Sequence, residues 1–278
     1  MAGSRHACLI AAFAAGFAAM GRETPSLADD RVSARQEQVC GGDEIARVGR
    51  ILDGRTFMLE DGREVRLAAI EVAPLAGPQD RADRAGRAAA AALGALAAGD
   101  QVVLRRAEGG SDRYGRLLAY AYTLRDADEF LLQRELVAEG LARVSTRIAR
   151  PCSEHLLDRE KAAREAKLGL WAEPYYEVLN AEAPNDALAY RGRFALIEGK
   201  VASVREIWPT IYVNFGRRRI GDITVTIRKR NERSFAAAGL DLPSLAGRRI
   251  RVRGWLEARG GDRAWIEAER PEQIEMAD

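Results

Sequence analysis

The sequence predicts a mainly β fold with helices, α+β in class, built as two small five-stranded barrels. Three observations carry this. Short apolar runs rich in Val, Ile, Leu and Tyr recur between tight turn signals such as Asp61-Gly62. One long alanine-rich run, Arg81 to Ala98, falls between the third and fourth of these strands in the first block, where a Greek-key barrel of the oligonucleotide-binding type places a helix. A linker-like stretch, Pro174 to Asn185, then separates this block from a second strand-rich block of about ninety residues.

In chain order, Ala46 to Leu52 reads as a strand. Asp53-Gly54 is a turn that puts Arg55 at the mouth of the next strand, Thr56 to Leu59. Asp61-Gly62 is the signal for a two-residue hairpin into Glu64 to Ile70, which carries Arg66 inside an apolar run and leads to Glu71. The helix Arg81 to Ala98 stops at Gly99-Asp100. Gln101 to Arg106 is a strand, Glu108 to Asp112 a polar turn, and Leu117 to Leu124 the returning strand behind Arg113-Tyr114-Gly115-Arg116. Phe130 to Glu139 has helical spacing with Gly140 as its stop. Ser153 opens a helix reaching Lys167, with Leu156, Leu157, Ala163 and Ala166 as its buried side. The second block offers strands at Phe194–Val204, Tyr212–Phe215, Asp222–Arg228, Arg248–Leu256 and Trp265–Glu269, with a short helix at Asn231–Ala238.

Composition excludes more than it proposes. Charged residues make up 30% of the 278, yet the net charge is only +2, so no global field announces a polyanion partner. Residues 1–28 read as an export signal: Arg5 and His6, an Ala-rich apolar run, then Ser26-Leu27-Ala28 as a cleavage site; a retained N-terminal anchor is the alternative. The expected location is therefore periplasmic or secreted, with no stable membrane insertion after cleavage. Beyond the signal remain Cys40 and Cys152, which in an oxidising compartment would form a disulfide, two buried thiols being the alternative. Behind that signal the chain holds one histidine, His155, which argues against a zinc centre and against Ser-His-Asp chemistry.

The segments ILDGRTFML, VRLAAIEVAP, SDRYGRLLAYAY, LLQRELVAEGLARV and HLLDREKAAREAKLGLW occur in this order between Ala46 and Trp171. On these the first block resembles the thermonuclease family, the calcium-dependent secreted nucleases related to staphylococcal nuclease. The resemblance implies a helix-decorated barrel and phosphodiester hydrolysis, in which calcium polarises the phosphate and two arginines neutralise the phosphoryl oxygens. Arg66 and Arg116 match the arginines and Tyr114 a phosphate-contacting tyrosine, with Arg113 beside it. The metal ligands do not match. The family's DGDT is Asp53-Gly54-Arg55-Thr56, its next aspartate is Glu71, and its third acid falls on Pro74 or Leu75. Calcium takes six to eight oxygens, so one carboxylate, Glu71, beside a guanidinium is a poor site; no cofactor is expected, calcium being the alternative. Replacing Asp by Arg changes the charge by two units, the charge of the missing ion. Arg55 is thus expected in the cation's place, either paired with Glu71 or presented as a third guanidinium; a solvated strand-end charge is the bland alternative. Glu71 remains a candidate general base.

The domain plan is 1–28 signal, 29–43 lead-in, 44–173 thermonuclease-like domain, 174–190 linker and 191–278 second barrel. Arg217-Arg218-Arg219, Arg228-Lys229-Arg230 and Arg248, Arg249, Arg251 and Arg253, with Tyr212, Phe215, Trp255 and Trp265 nearby, are either a base-stacking surface or core aromatics under a solvated face. The expected partners are single-stranded nucleic acid or nucleotides. The function expected is that of an exported nuclease with an altered site or, alternatively, a non-catalytic, metal-independent nucleic-acid or phosphate-binding envelope protein; a protein that uses the barrels only to hold a partner is the third class.

Overall fold

Glycine settles the first turn. In the computed structural model of the protein, β1 (Asp43–Asp53), β2 (Thr56–Leu59) and β3 (Glu64–Leu67) pair antiparallel in succession. The connection from β2 to β3 is a three-residue loop, not the two-residue turn expected. Leu59 N–H donates to Arg63 O at 2.9 Å, and Gly62 sits at φ 88°, where a side chain is disfavoured. The described residues are 43–75, 80–125, 128–145, 154–183, 189–216, 222–259 and 263–277. Cys40, Cys152, the 1–28 signal and nearly all of the lead-in lie outside them.

The strand expected at Glu64–Ile70 is two strands. The chain turns at Ala68-Ala69, and Ile70–Val72 (β4) leaves the barrel to pair with Ala142–Val144 (β8), Glu71 lying opposite Arg143. Helix α1 (Asp80–Ala97) follows. It packs on the Asp53–Arg55 turn so closely that a Cβ on Gly54 would stand 2.5 Å from that of Ala89. Strand β5 (Gln101–Ser111) is longer than expected, which moves the polar turn to 112–116. The chain returns as β6 (Leu117–Arg125), and a parallel β3–β6 pairing closes the ring β3-β2-β1-β5-β6.

Sequence reading merged β7 (Asp128–Leu131) into the helix behind it, α2 (Leu132–Ala138), because Phe130 and Leu131 continue the helical spacing. Leu132, Leu136 and Val137 are fully buried, as their spacing required. Helix α3 (Glu154–Glu165) buries Leu156 and Ala163. Ala166 lies past its end and is exposed, and the fully buried Glu160 takes the inward position instead.

Within the 174–190 stretch, the described residues 174–183 pack against the protein. They form a 3-10 turn at Pro174–Tyr176 and a short strand, β9 (Leu179–Asn180), parallel to β10 (Phe194–Lys200), with Tyr176 and Leu179 buried. The strand expected at Phe194–Val204 breaks into β10 and β11 (Ser203–Ile207). Then come β12 (Thr210–Asn214), β13 (Ile223–Arg228), α4 (Glu232–Ala237), β14 (Arg249–Trp255), β15 (Glu257–Arg259), β16 (Arg263–Glu267) and β17 (Ile274–Met276). If β10–β11 and β14–β15 are each taken as one bent strand, the pairings repeat those of the first domain: successive antiparallel hairpins, a helix after the third strand, and a parallel closure, β13–β16. The two domains thus share one connectivity without a visible sequence repeat. Each has its own apolar core.

A buried ionic network joins the domains. Arg253 of β14 and Glu160 of α3 are both essentially inaccessible, with Arg253 Nη1 2.6 Å from Glu160 Oε2 and donating to Val144 O at 3.1 Å. Glu160 Oε1 accepts the Val144 N–H at 2.6 Å. Arg253 also binds Glu275, which Arg251 meets at 3.1 Å and Arg164 at 3.7 Å.

Removing one member of such a pair strands the other charge in the interior. Arg253→Met is therefore expected to cost roughly 3–5 kcal/mol in denaturant titration; a loss near zero would show that the network carries no stability. Burial acts to raise the Glu275 carboxyl, but Arg253, then Arg164 and Arg251, outweigh it and hold it below its ordinary 4.5. Its contribution is then complete above pH 4.5 and is lost as the pH falls through the lowered value. Melting temperature followed from pH 6 downward should drop below about pH 4.5, and less steeply in Glu275→Gln; equal slopes would remove Glu275 from the acid transition.

Candidate functional site

The local fold explains why the charges gather at one end of the first barrel. The turn at Gly54 is held by the Asp53 carboxylate, whose Oδ1 accepts the Arg55 N–H at 2.8 Å. This aims Arg55 across the barrel end toward the start of β4. Its Nη1 lies 2.5 Å from Glu71 Oε2 and donates to Ile70 O at 2.8 Å, with both charged side chains about seven-eighths buried at 13% and 14% exposure. Of the arrangements the sequence left open, the structure has the Arg55–Glu71 ion pair, and the solvated strand-end charge is excluded by that burial.

Arg66 stands next to Thr56 on one side and Leu118 on the other, in the middle of the closing strand of the barrel. It is half-buried and makes no hydrogen bond or ion pair among the described residues. Burial lowers its pKa, and the nearby guanidinium groups of Arg55 and Arg116 add to that effect, against the opposing pull of Glu71 and Asp53. These couplings bring Arg55, Arg66, Arg116 and Glu71 into one electrostatic site. An arginine kept there without a counter-ion has its five donors free for an anion.

Arg116 is clamped instead. Its Nη2 lies 2.6 Å from Asp112 Oδ2 and its Nε donates to the same oxygen at 2.7 Å, while its backbone N–H and that of Tyr114 donate to Asp112 Oδ1. Burial acts to raise the Asp112 carboxyl, but the Arg116 hydrogen bond and these N–H groups hold it below the usual range. Tyr114 projects from the same turn, 67% exposed, with the guanidinium groups of Arg113 and Arg116 over its ring at 4.8 and 5.1 Å. Arg113 Nη2 also donates to the Tyr114 hydroxyl at 2.7 Å. The turn therefore presents a ring and two arginines next to the unpaired Arg66.

The donor set does not fit calcium. Among the described residues no group of three or more His, Cys, Asp or Glu could hold a metal ion. Of the two nearby carboxylates, Asp53 holds the turn and Glu71 is bound to Arg55. Glu71 Oε2 faces the Arg55 guanidinium at 2.5 Å, so that oxygen is turned toward the arginine.

The basic clusters of the second domain are largely neutralised. Arg251 pairs with Glu198 and Glu275, Arg249 with Glu182 and Glu198, Arg228 with Glu267, and Lys229 with Glu206 and Glu232. Phe215 is core, and Tyr212 meets Trp265 edge to face at 5.9 Å. Of the two readings left open there, the arginines form a salt-bridged face, while Phe215 is buried, Tyr212 and Trp265 are partly buried and Trp255 is exposed. Arg217, Arg218 and Arg219 lie outside the described residues.

The structure also shows what sequence reading missed. A cavity of about 620 Å³ lies between the domains, with Arg55 and Glu71 in its wall but not Arg66 or Arg116. Arg143, Tyr175, Tyr190 and Arg193 line it. Arg143 lies between Ala142 and Val144, the same apolar setting that singled out Arg66, and that signal was available. Among the described residues no helix is long and apolar enough to cross a membrane.

No curated protein matches the chain. Residues 64–173 match the family described as Staphylococcal nuclease homologue. The match begins at β3, so it takes in Arg66, Glu71, Tyr114 and Arg116 but leaves out β1, β2 and Arg55, although these strands close the same barrel. With the barrel, the two arginines and the matched segment in agreement, this chain carries a staphylococcal nuclease homologue domain at residues 64–173.

Proposed function

We propose that this is an exported thermonuclease-like protein that acts on the phosphodiesters of single-stranded nucleic acid, and that it holds them without calcium, with hydrolysis weak or absent. The observation that carries the reading is the Arg55–Glu71 pair where the family places its metal: it supplies a fixed positive group but no open coordination position. Arg66 is the free guanidinium for a phosphate oxygen, Arg116 a second one pre-aimed by Asp112, and Tyr114 an exposed ring for stacking a base. A guanidinium can neutralise phosphoryl oxygens but cannot lower the pKa of a bound water as a metal does. Export rests on the 1–28 signal, and a Cys40–Cys152 bridge would follow from it.

Binding of fluorescent single-stranded DNA and RNA oligomers, with calcium and with chelator, tests this. Affinity should be the same in both, and Arg66→Ala should lose about 1.5–3 kcal/mol, roughly ten- to a hundredfold. Cleavage stimulated by calcium and abolished by Arg116→Ala would overturn the metal-free reading and leave a working nuclease.

A further inference from the structure

The interdomain cavity holds two buried polar groups that the protein leaves unsatisfied. Arg143 is only 8% exposed, and among the described residues it makes no hydrogen bond or ion pair, with its Nε left over. Its charge is felt by Glu160 and Glu71, but both carboxylates are already taken, by Arg253 and Arg55. Its close partners among the described residues are the rings of Tyr176 and Phe194, each 5.2 Å from its guanidinium carbon. The Tyr176 hydroxyl, on the same wall, is buried without a partner as well. Leaving a buried guanidinium and hydroxyl unmatched is costly, and both are donors. An acceptor-rich, negatively charged group in the cavity would match the charge of Arg143, which lines it.

The other walls are flat and apolar. Arg193 lies over Tyr175 at 4.3 Å and Tyr190 at 5.8 Å, making a layered face, and Trp255 stands across the cavity against Phe194 at 6.3 Å. Glu177 and Asp53, also in the lining, are hydrogen-bond acceptors. A volume of about 620 Å³ is that of a small-molecule site. We infer that the interdomain cavity binds a small ligand made of a flat ring and an anionic group, of the nucleoside monophosphate class: the phosphate on Arg143 and Tyr176, the ring on the Tyr175, Tyr190 and Trp255 surfaces, and ring or sugar N–H and O–H groups on Glu177 or Asp53. The cavity shares the Arg55–Glu71 wall with the surface described above but does not include Arg66 or Arg116, and the inference does not rest on the function proposed there.

Calorimetric titration of the intact protein with adenosine and uridine 5′-monophosphates, with the two nucleosides, and with inorganic phosphate tests the inference. At least one nucleotide should bind roughly tenfold or more tighter than either its nucleoside or phosphate, and Arg143→Met should weaken it by about tenfold or more. Tryptophan fluorescence, to which Trp255 in the cavity wall contributes beside Trp171, Trp208 and Trp265, gives a second readout, and Trp255→Leu, at the partly exposed rim, gives a second variant if Arg143→Met fails to fold. Arg66→Ala should leave nucleotide binding in place while reducing oligomer binding. The inference is overturned if no nucleotide binds better than its halves, if folded Arg143→Met or Trp255→Leu binds as the unmodified protein does, or if Arg66→Ala abolishes the binding.

Discussion

The contact on which the rest depends is the one between Glu160 and Arg253. Two charges fully out of water, one from each domain, hold each other at 2.6 Å. A pair of this kind adds little net stability over an apolar substitute of the same shape, because desolvation consumes most of the attraction. What it adds is registry. Glu160 also fixes the Val144 N–H, and Arg253 fixes the Val144 carbonyl, so the end of β8 is clamped on both sides. That clamp sets the orientation of the neighbouring Arg143. It also spends the carboxylate that would otherwise have neutralised Arg143, and the cavity owes its unsatisfied donor to this choice.

The Arg55–Glu71 pair follows the same logic on a smaller scale. Arg55 and Glu71 meet at 2.5 Å at one end of the barrel, each largely buried, so the two charges balance each other where neither is well solvated. Among the described residues Arg66 makes no ion pair, and the acid that faces it electrostatically, Glu71, is paired with Arg55.

Much of the fold could be read in the sequence, because turn glycines and strand periodicity are local signals. The helix between the third and fourth strands, both barrels and the stop at Gly140 came from such signals. The misses share a cause: each depended on distant residues. The Glu64–Ile70 run is continuous in sequence, and only the arrival of Ala142–Val144 pulls Ile70–Val72 out of the barrel. Phe130 and Leu131 fit a helix by spacing but are claimed by the edge of β6. At the site, the clustering of Arg55, Arg66 and Arg116 was legible through motif order, whereas the partner of Arg55 was left open because two strands had to be placed to choose it. Arg251 and Arg249 looked like a basic surface until the acids of β10 and β17 lay beside them. The tyrosines of 174–190 read as linker because nothing nearby in sequence shows what they pack on.

The clamp at Val144 also sets a timetable. Arg253 lies 109 residues beyond Val144, so during synthesis at about 5–20 residues per second the first barrel emerges some 5–20 s before its final counter-ion. For that interval Glu160 has only the Val144 N–H and Arg164 of its own helix, 3.7 Å away, as partners, and the buried pair is completed when the second domain arrives.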